Sequence, residues 1–278
     1  MQIFNQITEI RGFLKNQNSK KIGLVPTMGA LHQGHLSLIE EAKKHCDLVV
    51  VTIFVNKEQF NNEDDYLNYP NLMAGDIEIL QQNNVDILFN PSMDEIYQNN
   101  LTKIEIGKLA DNLCGKSRAG HFEGVALIVS KLFNIIRPDV AVFGQKDFQQ
   151  LQIIKKLTCD LNFDVKIIGA ETLREESGLA MSSRNLNLSE SGRKIADQIY
   201  ANLNAAKKEI LGGTNLQLVL EKTNNNLLQN GVRKIDYLNL CDEDNLQITN
   251  NSNSKIKSRL FIAAHVDEVR LIDNLEIY

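Results

Sequence analysis

His32 and His35 stand three residues apart in the string Pro26-Thr27-Met28-Gly29-Ala30-Leu31-His32-Gln33-Gly34-His35. In the first turn of a helix that spacing puts both imidazoles on one face. Imidazoles at the positive end of a helix can donate to phosphate oxygens and offset charge that develops on them. Gly29 and Gly34 let backbone approach a ligand closely, and open amides in the turn are expected to join the anion site. A His-x-x-His pair can also bind zinc, but no third ligand stands nearby in sequence. A second string, Gly144-Gln145-Lys146-Asp147, places a lysine where a helix starts. A cation opposes the helix dipole there, so Lys146 reads either as a solvated surface residue or as the partner of a phosphate. The third string is Leu179-Ala180-Met181-Ser182-Ser183-Arg184. Its hydroxyls and planar guanidinium suit phosphate; taken alone, it reads as a helix cap beside an exposed arginine. The three strings together point to nucleoside triphosphate chemistry, with the serine–arginine segment as a loop that closes over the phosphates. There is no Gly-x-x-x-x-Gly-Lys-Ser/Thr loop, and no Gly-x-Gly-x-x-Gly opens the first helix, which argues against P-loop and dinucleotide binding.

These strings need elements to hold them. Apolar runs at 22–26, 48–55, 85–89, 139–143 and 164–168 read as strands, and helical patterns at 36–45, 72–82, 124–137 and 148–160 separate them. Continuous apolar strands alternating with helices imply an α/β, Rossmann-like parallel sheet covered on both faces. The first two strings then fall at strand-to-helix turns on one edge of that sheet, where phosphates bind. After residue 184 the pattern changes. Two long polar helices at 189–211 and 215–230, broken at Gly212-Gly213-Thr214, precede strands at 234–240, 259–264 and 269–272. That order implies a smaller C-terminal α+β domain. The expected division is 1–175 and 176–278, with 242–257 as a polar exposed loop.

The 278 residues carry 30 Lys and Arg against 35 Asp and Glu, a net charge of −5, and 43% hydrophobic residues. Neither half is basic, so no electrostatic footprint for nucleic acid is present. No apolar stretch approaches the ~20 residues that span a bilayer, and no signal peptide is readable at the N-terminus. Cys46, Cys114, Cys159 and Cys241 are scattered, without a Cys-x-x-Cys pair. Reduced thiols in the cytoplasm are the expectation.

The string ending in His32-Gln33-Gly34-His35 resembles the His-x-Gly-His signature of the nucleotidyltransferase superfamily, in the form found in the pantoate–β-alanine ligase family. The resemblance continues through 49–60 (VVVTIFVNKEQF), Tyr69-Pro70, 120–125 (GHFEGV), 143–151 (FGQKDFQQL), 178–185 (GLAMSSRN), Ile235-Asp236-Tyr237 and 270–274 (RLIDN), nearly the whole chain. It implies a two-step reaction. ATP and (R)-pantoate give pantoyl adenylate and pyrophosphate, and β-alanine then displaces AMP to give pantothenate. It also implies roles. Met28, Gly29, Ala30, Leu31, His32, Gln33, Gly34 and His35 would line the ATP site, with His35 donating a proton or stabilising the transition state. Gln59 and Gln150 would hold pantoate. Gly144, Gln145, Lys146 and Asp147 would bind ATP, with Lys146 on the phosphates. Leu173 would contact adenine through its backbone, and Met181, Ser182, Ser183 and Arg184 would grip the phosphates. His121 would line the site without a catalytic role. Mg²⁺ would bridge the phosphates, and Asp76 is weighed as its outer-sphere partner against a plain helix-surface acid. A homodimer is the implied assembly. The chain departs from the family's usual residues at Lys57, Glu58, Asn71, Gly75, Gln145 and Ala119. Two other readings stand beside the ligase: a nucleotidyltransferase that leaves the nucleotide on its product, and a non-catalytic nucleotide-binding protein.

Overall fold

The run Leu48–Ile53 is buried along its whole length, as a strand covered on both faces must be. In the computed structural model, which describes residues 1–61, 63–98, 101–250 and 256–278, this run is the third strand. The elements are β1 (Gln2–Phe4), α1 (Ile7–Lys15), β2 (Ile22–Thr27), α2 (Gln33–Lys43), β3 (Leu48–Ile53), α3 (Glu63–Leu67), α4 (Met73–Gln82), β4 (Ile87–Phe89), α5 (Met93–Tyr97) and α6 (Leu113–Ser117). There follow α7 (His121–Ile136), β5 (Val140–Gly144), α8 (Phe148–Asp160), β6 (Lys166–Ala170), α9 (Glu190–Leu211), α10 (Leu216–Gln229), β7 (Lys234–Asp242), β8 (Ser258–Val266) and β9 (Val269–Glu276).

Six strands form one parallel sheet in the order β1-β4-β3-β2-β5-β6. Its core joins Val25, Val49, Val51, Leu88, Val140 and Val142 of the strands to Ile39 of α2 and Leu80 of α4. The wide apolar face of α7 is buried at Val125, Ile128, Val129, Leu132 and Ile136. Left-handed Gly120 (φ 81) and Arg137 (φ 52) bound that helix, the second as a C-terminal stop. The sheet therefore delivers the ends of β2 and β5 to the two strand-to-helix turns singled out above. The short edge strand β1 and helix α1 add to the expected elements, although Ile7, Ile10, Phe13 and Leu14 recur at helical spacing in α1 and bury its inner face at Ile10 and Leu14.

A three-stranded antiparallel sheet, β7-β8-β9, forms separately. The register shifts between Ile235 and Tyr237, a bulge in β7. Helices α9 and α10 bury Ala196, Ile199, Leu203, Val219 and Leu227 with Leu260, Ile262 and Ala264 of the central strand. Phe261, on the opposite face of β8, meets Phe148 at 5.9 Å between ring centroids.

The chain divides into two compact units. One takes Met1–Ile106, Arg118–Gln145 and Gln150–Glu171, and the other Gly107–Ser117, Lys146–Gln149 and Thr172–Tyr278. A single cut after residue 175 does not capture this interleaving. Long-range contacts explain it: Arg270 donates to Ser117 Oγ at 3.1 Å, Asn274 to the Lys146 carbonyl at 2.9 Å, and Arg174 to Asp273 at 2.7 Å. Of the expected loop at 242–257, residues 251–255 lie outside the described residues, and residues 256–257 precede β8.

Candidate active site

The turn between β2 and α2 is held from beneath. Gly29 and Ala30 are left-handed, with φ of 82 and 50°. Asp76, on α4, accepts from the Ala30 amide through Oδ2 at 2.8 Å and from the Leu31 amide through Oδ1 at 2.7 Å. A Cβ at position 29 would lie 2.9 Å from Asp76 Oδ2, so both the conformation and the space call for glycine. Asp76 is only 2% exposed. This corrects the expectation of a surface acid. Each carboxylate oxygen accepts from one backbone amide of the turn, so the first task of Asp76 is to hold that turn.

His32 is the N-cap of α2. Its Nδ1 accepts from the Gly34 amide at 3.1 Å, while His35 Nδ1 accepts from the His32 amide at 3.3 Å. The two rings lie 4.1 Å apart. A backbone N–H can only donate, so each Nδ1 is unprotonated and each neutral ring carries its proton on Nε2. The first turn of α2 holds no acidic side chain, which leaves the positive helix end to favour an anion. The expectation of open backbone amides is corrected at the same time. The amide of Gly29 donates to Thr27 Oγ1 at 3.2 Å, and those of Ala30, Leu31, His32 and Gly34 are taken as described. Those five amides are engaged within the turn, and the imidazole N–H groups and the helix dipole add to what it presents to a phosphate.

Gln59 ends a 3-10 turn, Lys57–Gln59, and its Nε2 lies 2.8 Å from Met28 Sδ. The string 120–125 proves to be its support. His121 Nδ1 donates to the Gln59 carbonyl at 2.7 Å, and Arg118 donates to His121 Nε2 at 3.0 Å and to the same carbonyl at 3.4 Å. The backbone of Glu58 and Gln59 occupies the space a Cβ at Gly124 would fill. Gln150 sits half-buried on α8 in the same unit. A cavity of about 210 Å³ is lined by Met28, Gly29 and Asp76 together with Tyr66, Asn71 and Asn90. The unusual residues find places too. Lys57 Nζ stands 5.8 Å over the Tyr66 ring, Gln145 Nε2 donates to the Gly169 carbonyl at 3.1 Å, and a Cβ at Gly75 would meet nothing within 4 Å.

In the second unit, Lys146 has a side chain 20% exposed, with Nζ 3.7 Å from Asp147 Oδ2. Its carbonyl accepts from Asn274, whose Oδ1 accepts from Arg259 at 2.8 Å, and Arg259 stacks 4.1 Å over Phe148. The segment from 172 to 185 is tied down along its length. Met181 N–H donates to the Leu173 carbonyl at 3.0 Å, and Asn185 donates to Glu175 at 2.9 Å and to the Ala180 carbonyl at 3.1 Å. Arg174 and Asp273 form a two-point ion pair at 2.7 and 2.9 Å. Ser182 Oγ accepts from the Arg184 amide at 3.3 Å and caps the short turn Ser183–Asn187; its hydroxyl proton remains to donate. Ser183 is buried.

A cluster in the same unit accounts for two further strings. Arg270 Nε donates to Asp236 at 2.8 Å, and His265, near the end of β8 and close to the β8–β9 turn, lies 3.1 Å from the same carboxylate. Burial alone raises the Asp236 pKa, but hydrogen bonds from Arg270, Lys234 and His265 outweigh it and hold the carboxyl well below the usual range. Asp76, Arg118 and Asn274 as supports were missed from sequence; they touch the turns only through the fold. Among the described residues no three His, Cys, Asp or Glu side chains gather to hold a metal ion, and no described helix is long and apolar enough to cross a membrane.

A parallel sheet of this order, with a His-x-Gly-His turn capping the helix after β2, defines an α/β nucleotide-handling fold with a small α+β partner. The family profile of Pantoate-beta-alanine ligase matches residues 2–276. The pantothenate synthetase of Thermoanaerobacter sp. (strain X514) is 44% identical over 279 residues, covering 99% of this chain and 98% of its own. The crystal structure of pantothenate synthetase from Thermus thermophilus superposes with a TM-score of 0.94 at 37% identity, over all of both chains. That of the Francisella tularensis pantoate-beta-alanine ligase, complexed with beta-gamma ATP and beta-alanine, gives 0.84 at 42% identity, over 99% and 97% of the chains. The chain belongs to the pantoate–β-alanine ligase family, and it is an ATP-dependent ligase of pantoate and β-alanine.

Proposed function

We propose that the ligation runs through pantoyl adenylate, with the residues assigned above in the roles the family implies. The observation that carries this reading is the pair of imidazoles on the N-terminus of α2, each fixed with its proton on Nε2. In the first step a pantoate carboxylate oxygen attacks the α-phosphorus, and the bond to the bridging oxygen breaks to release pyrophosphate. Negative charge grows on the non-bridging and leaving oxygens. Donors set in advance stabilise it without reorganising. His32 and His35 supply neutral N–H donors, Lys146 a cation, and Ser182, Ser183 and Arg184 hydroxyls and a guanidinium. Met28–His35 and Gly144–Asp147 hold ATP, with the Leu173 backbone on adenine. Gln59 and Gln150 bind pantoate with neutral amides, which penalise analogues lacking a hydroxyl. In the second step the β-alanine amine attacks the acyl carbon, AMP leaves with the former carboxylate oxygen, and the ammonium proton passes to solvent.

Mg²⁺ would come as part of the ATP substrate and would offset phosphate charge there. The Asp76 carboxylate, engaged by two amides, is not assigned to it. The assembly proposed is a homodimer, in the cytoplasm. The test is an omission assay on purified protein. Pyrophosphate release should need ATP and pantoate, and AMP release should rise when β-alanine is added. A stable nucleotidylated product without an amide would favour the other nucleotidyltransferase reading. ATP binding without pantoate-dependent turnover would favour the non-catalytic one.

A further inference from the structure

The Gln59 amide has a fixed polarity, and its source is a backbone carbonyl. Asn56 Nδ2 donates to the Gly124 carbonyl at 3.1 Å and to Gln59 Oε1 at 3.1 Å. A carbonyl only accepts, so Gly124 decides which end of the Asn56 amide is nitrogen. Asn56 Oδ1 then accepts from the Tyr97 hydroxyl at 2.7 Å. With Oε1 engaged, Gln59 presents Nε2, which lies against the weak acceptor Met28 Sδ at 2.8 Å. Asn56 is 1% exposed, so its oxygen depends on the phenol rather than on bulk water. Tyr97 is itself seated: its ring lies 6.0 Å from that of Phe54, and Lys131 Nζ, 5.3 Å above it, also donates to the Ile96 carbonyl at 2.9 Å. Burial, and then the charge of Glu58, raise the Tyr97 pKa and keep the phenol a donor.

We propose that Tyr97 is a positioning residue for substrate selection. By bonding Asn56 Oδ1 it holds in place the amide whose polarity Gly124 sets, and so keeps Gln59 with its NH₂ end, not its carbonyl end, toward an oxygen of the hydroxy acid. The inference rests on the ligase reading, in which Gln59 contacts pantoate. Tyr97→Phe removes the hydroxyl and little else.

The experiment compares wild type, Tyr97→Phe, Gln59→Ala and the double variant. It reads KM for pantoate and for ATP, kcat, and pantoate Kd by titration calorimetry, with circular dichroism to confirm folding. Tyr97→Phe should weaken pantoate about tenfold, the scale of one orphaned buried acceptor, and leave kcat and the ATP KM within about twofold. In the Gln59→Ala background the same change should alter pantoate Kd by less than about twofold, because linked residues are not additive. Asn56→Asp, which replaces the donor facing Gln59 by an acceptor, should weaken pantoate at least as much as Tyr97→Phe. A Tyr97→Phe effect that persists undiminished without Gln59, that falls on ATP or kcat, or that is absent would overturn the proposal. If wild type shows no pantoate-dependent release of AMP, the ligase reading fails first, before any variant is compared.

Discussion

Asp76 and Lys146 illustrate two ways a residue can matter to one reaction. Asp76 touches the turn that carries the histidines, and its loss would leave the Ala30 and Leu31 amides buried without acceptors. Asp76→Ala should therefore cost about 2–4 kcal/mol of stability as well as activity. Lys146 contributes a charge on a partly exposed side chain. Lys146→Ala should slow adenylation by about 10²–10³-fold, a loss of transition-state stabilisation, with little change in the unfolding midpoint. Chemical denaturation beside pyrophosphate release separates the two; a Lys146 variant within a few-fold of wild type would remove it from the reacting phosphates. His32, His35 and Lys146 stood out as candidates because their types and spacing can be read along the chain, whereas Gln59 was pointed to by the family resemblance. Asp76 looked like a surface acid, since its burial is decided by α4 packing under a turn 46 residues earlier. The tautomers of His32 and His35 were equally hidden, being set by two backbone amides whose directions only the folded cap defines.

At the scale of elements, the strings that hold no reacting group turn out to be clamps. GHFEGV fixes the turn that ends at Gln59, RLIDN fixes Lys146 and the start of the 172–185 segment, and Asp236 with Arg270 fastens the bulged strand β7 to β9. The Asp236 clamp has a pH signature. A carboxyl with a lowered folded pKa stabilises the protein above its unfolded value, near about 4, and that contribution is lost as pH falls toward the folded value. Asp236→Asn should be less stable than wild type at neutral pH, and the gap in melting temperature should narrow as pH drops below about 4. A gap that stays constant from about pH 7 to about pH 3 would mean the carboxylate charge does not serve the clamp. The central strands and the helix α7 were legible because burial on both faces writes continuous apolar runs. β1 and the short α3, α5 and α6 were not, because so few residues carry no period; α1, whose Ile7, Ile10, Phe13 and Leu14 fall at helical spacing, was there to be read.

At the scale of the molecule, the sequence pattern was enough for a parallel α/β layer followed by a helix-then-strand unit. It did not show that Gly107–Ser117 and Lys146–Gln149 belong with the second unit. Their membership follows from a set of long-range contacts, among them Ser117 with Arg270, Cys114 with Tyr237, Phe148 with Phe261 and the Lys146 carbonyl with Asn274, which leave no mark in local composition. The division matters for chemistry, since Gln145 and Lys146 are neighbours in sequence and fall in different units. The roles proposed above draw on residues of each unit. The most direct measurement follows one atom through the proposed acyl phosphate bond. Pantoate labelled with ¹⁸O in its carboxylate is turned over with ATP and β-alanine, and the AMP is examined by mass spectrometry. A pantoyl adenylate transfers a single ¹⁸O from pantoate to the phosphate of AMP. AMP that carries no label would contradict the account.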